Sequence, residues 1–120
     1  MAFYNLSKQE LANLVAAISN DILTEVKKKG LKKILAYFVD EDTYIRKSAY
    51  LSVGKIYFTS KKLQPGIIKT LDNLLLYDNF KMRQTVINSD GEIGKTDFEN
   101  VDHIFDKAVF DKHHSHVMRL

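Results

Sequence analysis

The chain has 120 residues with no Cys, 45% hydrophobic and 28% charged residues, and a formal net charge of +3 at pH 7. That length gives one domain able to bury a core unaided, and the lack of Cys excludes disulfides, thiolate metal sites and thiol nucleophiles. With no run near the ~20 apolar residues of a membrane span and no basic-then-apolar leader, a soluble, unprocessed, cytoplasmic protein without a membrane partner is expected.

Ser7 and Glu10 have the spacing of a capping box. Apolar residues then follow at Leu11, Leu14, Val15, Ile18, Ile22, Leu23 and Val26 with helical period. Lys27, Lys28 and Lys29 put cations at the negative end of the helix dipole, and Gly30 offers a C-terminal cap. The first helix is predicted over 7–29, with "SND" at 19–21 the one place where it would break. Leu31, Ile34, Leu35 and Phe38 predict a second helix over 31–39, and Ile45, Ala49, Val53 and Ile56 a third over 43–58, with "DED" between them as turn and cap. "TSKKLQPG" is the next break; Pro65 suits the first turn of a fourth helix over 65–77 that uses Ile68, Leu71, Leu74, Leu75 and Leu76. A fifth helix is predicted over 80–95 and a sixth over 97–110, followed by a tail at 111–120. No segment alternates with period two for long enough to make a strand, so the class is all-α.

"DEDTYIRKSAYLSVGKIY", from Asp40, is echoed by "YDNFKMRQTVINSDGEIGK", from Tyr77. Aligning Arg46 with Arg83 gives a period of 37 residues, which matches Ile45 with Met82, Ala49 with Val86, Gly54 with Gly91 and Ile56 with Ile93. The preceding helices agree: Leu31, Ile68 and Val101 stand ten before Glu41, Asp78 and Asp111, and Ile34, Leu71 and Ile104 stand seven before. A two-helix unit copied at this spacing is the sequence mark of a helical solenoid, because one pair cannot bury its apolar face alone.

At these residues the sequence resembles the HEAT-repeat family, whose units show an acidic turn, an apolar residue and Arg, then a small residue and Gly. The resemblance covers about residues 30–120, and "DKHHSHVMRL" looks like the opening of one more unit. It implies a short, right-handed solenoid of antiparallel helix pairs, about six helices in all, used to hold other macromolecules. It implies too that Arg46, Arg83 and Arg119 pair with acids of neighbouring turns, Asp42, Asp78 and Asp111, as a ladder between units. Since Leu120 follows directly on the opening of a further unit, the expectation is either a piece of a longer array or self-association through the terminal repeat.

Three groups of residues invite a function. Asp90 stands one period after Val53, where the repeat wants an apolar side chain. The poor helix formers of "NSDG" lead us to expect that the helix bends or ends there and lets Asp90 out to water; the other readings are a functional acid, the one catalytic candidate in the chain, and a misaligned register. Lys27, Lys28, Lys29, Lys32 and Lys33 surround one helix junction and Lys55, Lys61 and Lys62 the next, a set that either forms a phosphate-neutralising stripe or simply solvates helix ends. His113, His114 and His116, with His103, are metal candidates without a recognisable motif around them, and no cofactor is expected.

Two functions follow. The first is a non-catalytic scaffold that binds a protein partner. The second is a nucleic-acid binder related to the HEAT-like DNA alkylation-repair glycosylases, which use a basic concave surface and an Asp at the excision site. Those enzymes also place aromatic residues, commonly Trp, around the lesion, and this chain has no Trp. The scaffold is the favoured reading.

Overall fold

The reciprocal bonds that Ser7 and Glu10 predict are formed: Ser7 Oγ accepts the Glu10 amide at 3.1 Å and Glu10 Oε1 accepts the Ser7 amide at 3.0 Å. They open the first of five α-helices in the computed structural model, which describes residues 6–95. These are α1 (Lys8–Lys28), α2 (Lys32–Phe38), α3 (Thr43–Thr59), α4 (Gln64–Leu74) and α5 (Phe80–Gly94), with a 3-10 turn, Lys61–Leu63, leading into α4. No strand occurs among the described residues, and none of their helices is long and apolar enough to cross a membrane. The helix predicted over 97–110 and the tail lie outside the described residues.

α3 is the central element, flanked by α1 and α5, and α2 and α4 each touch all three of these helices. Their apolar stripes meet in one core that includes Ile18 and Ile22 of α1, Phe38 of α2, Tyr57 of α3, Leu71 of α4 and Val86 of α5. Burial of side chains this size contributes about 1.5–3 kcal/mol each. Where α1 to α4 converge, Ile22, Ile34, Val53 and Ile67 line a void of about 10 Å³, so the packing leaves little free space. α3 and α5 approach closely at Gly54: a Cβ there would lie 2.8 Å from Glu92 Cβ.

The joint between α1 and α2 is polar. Tyr37 donates its hydroxyl proton to Asp21 Oδ2, and Lys33 Nζ meets Asp21 Oδ1 at 3.2 Å. The Tyr37 bond holds the Asp21 carboxyl below its ordinary range, while burial first and Asp21 second push the Tyr37 phenol up to about 12. A depressed carboxyl adds stability at pH values above its unfolded-state range and loses it as pH falls through its folded range. Tyr37→Phe is therefore expected to destabilise the fold by about 1–3 kcal/mol at neutral pH, with a smaller loss in acid. Urea unfolding at pH 7 and pH 3 checks both parts.

Several local details differ from expectation, although α1 is the one helix predicted over 7–29, unbroken through "SND". Its left-handed cap is Lys29, at φ 60°, and Gly30 keeps an ordinary φ. Gly30 serves a different need, because the Glu25 carboxylate fills the place of its missing Cβ and accepts the Lys33 amide at 2.7 Å. α4 ends at Leu74, three residues short of the predicted end, since the Leu76 and Tyr77 amides turn back to Asn73 and Leu74 carbonyls. Leu76, expected on the apolar face, is consequently 75% exposed, and Ile67 takes the buried place one turn before Leu71.

Candidate functional site

Several positions 37 residues apart do the same work around α3 and α5. Asp42 caps α3, accepting the Tyr44 amide at 2.8 Å, and Asn79, 37 residues later, caps α5, accepting the Met82 amide at 2.9 Å. Arg46 donates from Nη1 to the Asp40 carbonyl and from Nη2 to Thr43 Oγ1, and Arg83 Nη2 donates to the Leu75 carbonyl at 3.1 Å. Each guanidinium so ties down the backbone of the turn in front of its own helix. Asp78 is exposed, one residue before the Asn79 cap, and Arg119 and Asp111 lie outside the described residues. Ala49 and Val86, and Ser52 and Ser89, are buried pairs in the same register.

Asp90 breaks that register chemically while keeping it geometrically. α5 continues through "NSDG" to Gly94, which leaves Asp90 facing inward with 2% of its surface exposed. This overturns the expectation that the segment would release it to water: packing against α3 fixes the inward face of α5 whatever residue occupies it. Neither carboxyl oxygen meets a hydrogen-bond partner among the described residues. Burial, and then the charge of Asp72 on α4, push the carboxyl up to about 8, so near neutral pH the group holds its proton. Asp72 went unnoticed in the sequence although the same arithmetic finds it. Its counterpart one period earlier is Leu35, which packs against the core, just as Val53 precedes Asp90. The second pair thus carries two facing carboxyl groups where the first carries two aliphatic side chains. Asp90 does not line the void of about 10 Å³ in the core.

The lysines divide. Lys27 and Lys29 at the end of α1, Lys62 in the 3-10 turn and Lys69 on α4 line one cleft of about 540 Å³. Its apolar part is Val26, Leu31, Leu63 and Pro65, and no carboxylate lines it among the described residues. The first turn of α4 contributes Pro65 and Gly66, and no side chain caps that turn. Lys69, on α4, is a member that the spacing of lysines along the chain did not bring out. Lys33 is engaged with Asp21, and Lys55 lines a separate groove between α1 and α3. Lys28, Lys32 and Lys61 are exposed outside the cleft lining. The groove holding Lys55 measures about 720 Å³, with Leu11, Val15 and Leu51 as its apolar part.

Among the described residues no group of three or more His, Asp or Glu side chains could hold a metal ion, and His103, His113, His114 and His116 lie outside those residues. No family model, curated protein or solved structure matches the chain.

Proposed function

We propose that the chain is a HEAT-like repeat scaffold, a short right-handed solenoid without catalysis of its own, that holds a protein partner on its helical surface. The observation that supports this most is the shared role of positions 37 residues apart: the caps Asp42 and Asn79, the turn-tying Arg46 and Arg83, and the buried Ala49 and Val86. A copied unit of this kind buries its face only against a neighbour, and stacking leaves an extended surface as the binding element. The lining of the lysine cleft agrees with binding, since ammonium groups beside aliphatic side chains suit an acidic, partly apolar ligand.

The test is capture on immobilised chain from a nuclease-treated lysate, followed by calorimetry of the purified captured protein against the chain. A saturable complex between the two purified proteins is the expected result. Capture that vanishes with nuclease treatment, leaving no protein that binds in purified form, would replace the scaffold with a nucleic-acid binder.

A further inference from the structure

We propose that the four-lysine cleft between α1 and α4 is the docking site, and that its occupant is an acidic protein segment carrying an aliphatic side chain among its carboxylates. The proposal rests on the scaffold reading and narrows it to one surface and one partner chemistry.

The cleft joins two features that act on the same ligand. Lys27, Lys29, Lys62 and Lys69 reach it from three separate elements, so the positive charge surrounds the concavity. All four are exposed, and among the described residues the lining holds no carboxylate to neutralise them. The positive end of the α4 dipole, at Pro65 and Gly66, offsets the negative end of α1 behind Lys27 and Lys29. The second feature decides between classes of anion. Val26, Leu31, Leu63 and Pro65 make an apolar part that buries an aliphatic side chain, which a phosphodiester backbone does not offer. Among the described residues no aromatic side chain and no Arg lines the cleft, so stacking on bases and bidentate reading of phosphate or guanine have no agent among them. Charge complementarity with an apolar anchor is the signature of an acidic peptide, and lysine ammonium groups, hydrated point charges on flexible stems, suit its scattered carboxylates.

The experiment is fluorescence anisotropy at fixed low salt with a labelled peptide of Glu residues bearing Leu at every third position, and in parallel a labelled DNA duplex. The variants are Lys62→Glu with Lys69→Glu, and a control pair, Lys8→Glu with Lys47→Glu, which makes the same charge change at exposed sites outside the cleft. Loss of two of four cleft cations is expected to weaken the peptide about tenfold or more, and the control about threefold or less. Replacing Leu by Ser in the peptide is expected to weaken it several-fold on the native chain. Equal losses in both charge pairs, indifference to Leu, absence of peptide binding, or tighter binding of the duplex than of the peptide would each overturn the proposal. A partner captured on the chain and then bound equally well by the cleft variant would overturn the cleft while leaving the scaffold standing. Failure to find any protein partner would instead end the scaffold reading.

Discussion

Replacement of Asp90 by Val is expected to stabilise the protein, and by more as the pH rises. The native carboxyl is buried without a hydrogen-bond partner among the described residues, and it is pushed up to about 8 from an ordinary value of 3.8. Below that ordinary value folded and unfolded chains both hold the proton, and the group's linkage is neutral. Between 3.8 and about 8 the unfolded chain releases the proton while the folded chain keeps it, so native stability falls steadily as pH rises through this window. Each pH step of one across the window costs about 1.4 kcal/mol, which makes the accumulated loss at pH 8 on the order of 5 kcal/mol. Val is the residue that the first helix pair uses at the same position, so the site accepts its shape. Urea unfolding should give Asp90→Val an advantage of about 3–4 kcal/mol at pH 5, the sum of an unsatisfied polar group removed and the linkage already accumulated, and about 6–7 kcal/mol at pH 8. An advantage of equal size at both pH values would show that Asp90 keeps the same charge in the folded and unfolded chains. Asp72, the charged group facing it from α4, should contribute: Asp72→Asn is expected to lower the Asp90 midpoint and flatten part of the slope.

Gly54→Ala and Gly91→Ala should move stability in opposite directions although the two glycines stand 37 residues apart in the same sequence register. At Gly54 the added methyl would stand 2.8 Å from Glu92 Cβ, an atom fixed by the α5 backbone, so α3 and α5 must separate. Overpacking of this kind costs about 1–3 kcal/mol, and it acts at the most extensive helix contact in the fold. At Gly91 the methyl meets nothing within 4 Å. Only the gain in helix propensity remains there, up to about 1 kcal/mol. Chemical denaturation of the two variants decides it, and a Gly54→Ala protein as stable as the parent would mean that the interface yields at no cost.

How much of this was legible beforehand depends on how local the determinant is. Caps and stripes were: Ser7 with Glu10, and the acidic turn at Asp42 with the run from Ile45 to Ile56, place two helices, α1 and α3, to within a residue or two. Each is decided by side chains touching their own backbone or their own helical face. Determinants set by contact were not. Lys29 takes the left-handed cap because Gly30 is needed where the Glu25 carboxylate lies against it, and nothing in "KKKG" announces Glu25. Asp90 is inward because α3 dictates the face of α5, overriding the poor helix formers around it. Lys69 joins Lys27 and Lys29 only once α4 lies beside the end of α1, which no spacing along the chain reveals.

The central claim is that α2–α3 and α4–α5 are copies of one stackable unit. It is tested most directly by inserting a second copy of residues 39–75, one 37-residue period, after Leu75 and following urea unfolding by circular dichroism. A repeat array accepts the extra unit. The lengthened chain should unfold in one transition, with a steeper denaturant dependence from the added buried surface and stability at least that of the parent. A lengthened chain that loses cooperative unfolding, or that loops the insert out and melts at the parental midpoint with the parental slope, would contradict the account.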